Sequence, residues 1–191
     1  MSGYFDKEGK STGNWSCYDI RGKLLRRVRI PKKKKDIGFV HGYHFNGQIA
    51  LIGEIMNDLN IHSDISIVIT NLFTNICGFG ALFYQNGKLL YKGMHKDGNI
   101  DSENTKLYHD NGKLLFEGAY RNGKKQGPVR EYHKNGNLHV EANCVDGMLN
   151  GHGIIYLPDG LMLYDGAFVD DAMTGYGRCY VGEQQLVYEG N

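Results

Sequence analysis

Eight histidines and four cysteines are the side chains with which this 191-residue chain could bind a metal or act as nucleophiles. His44, His109 and His133 each stand three residues before a glycine, at Gly47, Gly112 and Gly136. Equivalent atoms in successive two-strand units lie about 10 Å apart, whereas ligands of one Zn ion each sit roughly 2 Å from it. A shared metal is therefore not expected. Cys17, Cys77, Cys144 and Cys179 are widely separated and form no Cys-x-x-Cys pair, a pattern that reads as free thiols in a reducing, intracellular compartment, with the cytoplasm first and the nucleus or a virion as alternatives. Cys144 near His139 and Cys179 near His152 lack any supporting nucleophile motif, and Asp170-Asp171 suits a turn. The phosphate-loop spacing Gly-x-x-x-x-Gly-Lys-Ser/Thr is absent from the sequence. The chain is expected to be no enzyme, with no catalytic residue and no cofactor.

The elements that carry these residues repeat. An aromatic residue stands four positions before a turn centre and an apolar residue two positions after it, seven times: Tyr18, Tyr43, Phe83, Tyr108, Tyr132, Tyr156 and Tyr180, with Leu24, Ile49, Leu89, Leu114, Leu138, Met162 and Leu186. The centres are Gly22, Gly47, Gly87, Gly112, Gly136, Gly160 and Gln184, spaced 25, 40, 25, 24, 24 and 24 residues apart. A fixed period of this size marks a stack of one supersecondary unit. Asn111-Gly112 and Asn122-Gly123 give two turns within one period, and Asn-Gly between apolar residues is the strongest local hairpin cue. Asp97-Gly98, Asp146-Gly147 and, more loosely, Asp170-Asp171 repeat the second turn. The fold class is all-β: an elongated, single-sheet antiparallel meander of stacked hairpins, forming one domain over residues 1–191. The repeats read weakly over 3–55 and clearly over 78–190, with an insertion at about 57–77.

A three-residue loop with its glycine left-handed is favoured at each centre, which would set the aromatic four before the glycine opposite the residue four after it, as Tyr108 with Phe116. Those seven aromatics, Tyr18 to Tyr180, then form a structural ladder on one face. Each fully buried rung would contribute roughly 1.5–3 kcal/mol, and a ring in the middle of the array would matter more than one at its end.

Tyr164-Asp165-Gly166 with Gly175-Tyr176-Gly177, Gly151-His152-Gly153 before Tyr156, and Tyr188-Glu189-Gly190 resemble the MORN (membrane occupation and recognition nexus) repeat. The phrases NGKLLYKG at 86–93 and NGKLLFEG at 111–118 look closer to the bacterial and viral variant of that repeat, the antitoxin-like one. The resemblance implies a scaffold, a tethering or dimerisation module, or a lipid-facing surface, with any catalysis in a separate domain.

Two segments are candidate contact sites. Residues 23–35 hold eight of the 22 basic residues and no acid, so Arg26, Arg27, Arg29, Lys32, Lys33, Lys34 and Lys35 are candidates for an anionic partner or lipid. The alternative is a solvated charged tip that keeps a sheet edge from pairing. In the insertion, Ile65, Ile67, Val68, Ile69, Leu72 and Phe73 form an apolar run suited to a protein partner or to dimerisation, or to capping the sheet. Another protein is the expected partner, with self-association through the sheet edge or the insertion next and a weak anionic-membrane contact after it; nucleic acid is the least expected. The sequence-level reading is a noncatalytic interaction or assembly scaffold, with a lipid tether or an antitoxin/immunity-type binder as alternatives. The opening residues lack the apolar stretch of a signal peptide.

Overall fold

A computed structural model describes residues 4–5, 11–18, 21–30, 37–56, 76–182 and 185–191. The described residues form strands and turns with no helix, so none of them supplies a helix long and apolar enough to cross a membrane. Two compact units divide at Ile100/Asp101. The first contains β1 (Tyr4–Phe5), β2 (Ser11–Tyr18), β3 (Leu24–Ile30), β4 (Ile37–Tyr43), β5 (Ile49–Met56), β6 (Ile76–Phe83), β7 (Leu89–Lys96) and β8 (Asn99–Ile100). The second contains β9 (Ser102–Tyr108), β10 (Leu114–Arg121), β11 (Lys124–Tyr132), β12 (Leu138–Val145), β13 (Met148–Tyr156), β14 (Met162–Val169), β15 (Ala172–Val181) and β16 (Gln185–Gly190). Within each unit every strand pairs antiparallel with the next in the chain, the hairpin meander that the period predicts.

Both turn types follow from local chemistry. At the second turn the two central residues have positive φ: Asn122 (+49°) with Gly123 (+78°), Asp146 (+52°) with Gly147 (+96°), and Asp170 (+49°) with Asp171 (+67°). This is the type I′ turn that Asn-Gly and Asp-Gly favour. At the repeat centres a three-residue loop closes instead. His133 N–H donates to Asn137 O at 2.9 Å, Gly136 N–H donates to His133 O at 2.8 Å, and Gly136 has φ +92°.

The expected facing of the residues four before and four after each centre is not what the strands do. Tyr108 pairs with Leu114 and Leu107 with Phe116; Tyr132 pairs with Leu138 and Glu131 with Val140. One residue beyond each loop, such as Leu115 or His139, bulges out of the ladder and shifts the register by one. The aromatic four before the centre therefore meets the apolar residue two after it.

That bulge places the two aromatic sets on opposite faces. At five of the seven centres the residue four after it is deep core: Leu51 (3% exposed), Tyr91 (0%), Phe116 (2%), Val140 (6%) and Tyr164 (5%). Of the anticipated ladder, Tyr18 is 53% exposed, while Tyr43, Phe83, Tyr108, Tyr132, Tyr156 and Tyr180 are half-buried. Strand alternation separates Tyr132 from buried Val129 and joins it to Arg130 and Glu117, and the Tyr132 hydroxyl donates to Glu117 Oε1 at 2.6 Å. Burial and that carboxylate push the Tyr132 phenol up to about 12.

A single sheet layer builds its core on one of its own faces by folding each ring down along its strand. The Tyr164 hydroxyl donates to Ala167 O at 3.1 Å and the Tyr91 hydroxyl to Met94 O at 2.9 Å. The ring passes over a glycine two residues on, and a Cβ at Gly166 would meet the Tyr164 hydroxyl and lie 2.6 Å from Gly177 Cα. Here is the steric reason for aromatic-x-Gly opposite Gly-x-Gly. The next inward position adds a second ring, edge to face: Tyr91 with His95, Phe116 with Tyr120, and Tyr164 with Phe168, at centroid separations of 5.2, 5.1 and 5.3 Å.

Successive hairpins are also joined at their tips. His44, His109 and His133 each donate through Nε2 to the backbone carbonyl of the next repeat, at Phe83 (2.7 Å), Tyr132 (2.8 Å) and Tyr156 (2.8 Å). Asn111 Oδ1 accepts from Lys113 N–H while its Nδ2 donates to Lys134 O at 2.7 Å. Asn111→Asp keeps the turn acceptor and turns the donor into a second oxygen facing a carbonyl. It should cost about 1–2 kcal/mol in urea unfolding, and an unchanged midpoint would contradict this coupling.

His95 is 5% exposed and packs on Tyr91 beneath Gly80. Burial lowers its pKa, opposed in part by hydrogen bonding with the backbone at Gly93 and Gly78. The unfolded chain therefore takes up this proton first, near the ordinary histidine value of about 6.5. Its contribution to stability is complete above that pH and is lost as pH falls toward the lowered folded value. His95→Phe, which copies Phe168, should flatten the loss of thermal stability between neutral pH and about pH 5. An identical pH profile in the variant would contradict the assignment.

Candidate functional site

The face opposite the core differs between the two units. In the second unit one row runs across β9–β16 through Lys106, Glu117, Arg130, Glu141, Ile154, Asp165, Arg178 and Glu189, each beside the next by strand pairing. Signs alternate except at Ile154. Arg130 donates from Nε and Nη2 to Glu141 Oε1 at 2.9 and 2.6 Å, Arg178 Nε donates to Glu189 Oε1 at 2.9 Å, and Lys106 lies 3.9 Å from Glu117. The cations Lys106, Arg130 and Arg178 thus meet carboxylates of the same row, while Asp165 Oδ1 lies 2.6 Å from His152 Nε2 on the neighbouring strand.

The equivalent row in the first unit crosses β2–β7 through Ser16, Arg27, His41, Ile52, Ala81 and Lys92. Beside it stand Asn14, Arg29, Phe39, Glu54, Phe79 and Met94. Phe39, Phe79 and Met94 are 42, 45 and 48% exposed. Phe39 and Phe79 border an apolar groove of ≈ 450 Å³ floored by Ile52, Gly53, Gly80 and Ala81 and closed at one end by Phe83 and Leu89, with Glu54 and Lys92 also on its lining. An adjoining hollow lined by Asn14, Ser16, Arg27, Arg29 and His41 shares Phe39 with it. The one carboxylate in these two rows, Glu54, accepts the Phe79 N–H at 3.0 Å, and Lys92 Nζ lies 5.4 Å from the centre of the Phe79 ring. Large exposed apolar groups bordered by cations make this face a candidate contact surface.

The sequence-level candidates fall on this picture unevenly. Arg27 and Arg29 are exposed on β3 and face the groove side, whereas Arg26, one residue off in alternation, is half-buried and points to the core face with Val28. Thus the basic run divides between two faces. Lys32, Lys33, Lys34 and Lys35, and the apolar candidates Ile65, Ile67, Val68, Ile69, Leu72 and Phe73, lie outside the described residues. Phe39 and Phe79 were not singled out by sequence reasoning. Both stand eight residues before a turn centre, where other repeats carry Asn14, Asn104, Pro128, His152 and Tyr176, so alignment on the centres was the signal that could have found them.

Groups with chemical potential sit elsewhere and are committed. Cys144 is 0% exposed in the cluster with Phe116 and Val129, and burial pushes its thiol up. His139 is lowered by burial and then by His133, whose ring lies 4.3 Å away. Among the described residues no group of three or more His, Cys, Asp or Glu side chains could hold a metal ion.

Hairpin strands in chain order, rings folded over glycine and left-handed glycine loops define a β-hairpin repeat protein. The MORN repeat variant matches residues 82–103, 104–122 and 125–144, and the MORN repeat matches 145–162 and 164–181. The chain therefore carries MORN repeats and, over residues 82–181, belongs to that family. Among curated proteins no match was found.

Proposed function

We propose that the chain is a noncatalytic binding scaffold that engages another protein through the β2–β7 face of its first unit. The observation that carries this reading is the contrast between units. Cations of the second unit's row meet carboxylates of the same chain, whereas Arg27, Arg29 and Lys92 flank exposed Phe39 and Phe79 with one committed acid nearby. Buried Cys144 and the tip histidines bonded to backbone carbonyls support a structural role for the groups that could otherwise do chemistry. An immunity-type binder, suggested by the sequence resemblance of the variant repeats, is one form of the same reading, whereas self-association through the sheet edge or the insertion would use other residues.

Proteins crosslinked to the chain in its native source should be lost when Phe39 and Phe79 are both changed to Ser, with the fold kept because both rings are exposed. The same partners recovered from the double variant would sink this reading. An anionic lipid surface is a second reading, favoured by Arg27 and Arg29 beside exposed Phe39. It requires flotation with acidic liposomes that disappears in Arg27→Ser/Arg29→Ser, since each basic group near such a surface is worth about 1 kcal/mol.

A further inference from the structure

We infer that the β2–β7 face takes an extended, acidic protein segment that carries large apolar side chains, a partner class that rests on the protein-binding reading above. Six strands at about 4.8 Å spacing make a platform about 24 Å across, which an extended chain covers in about seven residues. The platform has two chemistries in fixed order. Arg27 and Arg29 stand at the β3 end, exposed and with no acid opposite them among the described residues; their neighbours across the strands are Ser16 and His41, and Asn14 and Phe39. The apolar groove follows between Phe39 and Phe79, with Lys92 on its β7 side. A matching segment alternates acidic and apolar residues.

The chain itself shows how the acidic part is met. In the second unit the equivalent row sets Glu141 against Arg130 with two donors on one carboxylate oxygen, and Glu189 against Arg178. Arg27 holds the structural place of the residues that carry those carboxylates, five after the turn centre, with the charge reversed. Charge-assisted pairs of this kind confer register as well as attraction. Apolar anchors then enter the groove, where desolvated pockets concentrate binding energy.

A single-stranded nucleic acid would also meet cations and aromatic rings, by stacking its bases. The geometry points away from it. Lys92 lies over the Phe79 ring, where a base would stack, and Glu54 sets a negative charge midway along the path that phosphates would follow.

The test is panning of displayed random peptides of about ten residues against the full chain, followed by anisotropy titration of the selected peptides in synthetic form. Wild type should enrich Asp and Glu interspersed with Leu, Ile or Phe. Affinity should fall about tenfold or more with Phe79→Ser, with Phe39→Ser and with Arg27→Glu, and stay unchanged with Arg178→Gln in the second unit. Thermal melts matching wild type show that the variants are folded; the two Phe sites, both exposed, check each other. Selected peptides that need Phe79 but lack acidic residues overturn the acidic partner class and leave the protein-binding reading standing. Selection of no peptide that depends on Phe39 or Phe79, or tighter binding of poly-uridine that the same substitutions abolish, overturns both.

Discussion

Phe116→Ala is expected to destabilise the second unit by about 3–5 kcal/mol, the range for a large ring removed from a packed site that cannot collapse. Phe116 is 2% exposed and packs with Val129 and Cys144, with Leu107, Leu115, Tyr120 and Leu149 against them. Those residues come from β9, β10, β11, β12 and β13, so one ring joins more than two hairpins. Small domains have about 5–15 kcal/mol of net stability, so the loss removes a large fraction of it. Tyr188 occupies the same repeat position on β16 but is 49% exposed. Tyr188→Ala should cost at most about 1 kcal/mol, in line with nearest-neighbour stabilisation of a repeat stack. Urea unfolding followed by far-UV circular dichroism gives both values, and equal losses at the two sites would contradict the packing described.

The second large effect is a substitution that strand propensity alone would favour. Val exceeds Gly in strand preference by up to about 1 kcal/mol, yet Gly166→Val should destabilise by an amount at or above the upper end of about 1–3 kcal/mol. Gly166 pairs with Gly177 across β14 and β15, and its Cβ would fall on the Tyr164 hydroxyl and 2.6 Å from the partner Cα. Neither neighbour can yield cheaply, because the hydroxyl is bonded to Ala167 O and the other contact is backbone. A midpoint equal to or above wild type would show that the ring does not lie along its strand.

These two sites also show where sequence reading stops. The period, both turn types and the left-handed glycine at the six glycine centres were legible because turn chemistry is local: Asn122-Gly123 and Asn135-Gly136 need little but their own φ values. Register beyond the loop was not, because the extra residue at Leu115 or His139 bulges under the pairing of whole strands. One misplaced residue moved the anticipated core to the wrong face, so Tyr132 was expected inside, whereas Phe116, Val140 and Tyr164 fill that role. The proposed contact surface was hidden for the same reason. Phe39 and Phe79 read as ordinary strand residues until the register sets them beside Arg29 and Lys92 on the face away from the core. Arg26, read together with Arg27 and Arg29 as one basic patch, is separated from them by simple alternation.

The two faces divide the labour: Leu51, Tyr91, Phe116, Val140 and Tyr164 hold the hairpins together on one, and the opposite face of β2–β7 is the proposed partner surface. Hydroxyl-radical footprinting of the folded chain, alone and with a selected acidic peptide, tests both halves at once. Phe39 and Phe79 should oxidise readily in the free chain and become protected with peptide, while Tyr91, Phe116 and Tyr164 stay protected throughout. Rapid oxidation of Tyr91 or Phe116 in the folded chain, or peptide protection that falls on the second unit's ion-pair row instead, would contradict it.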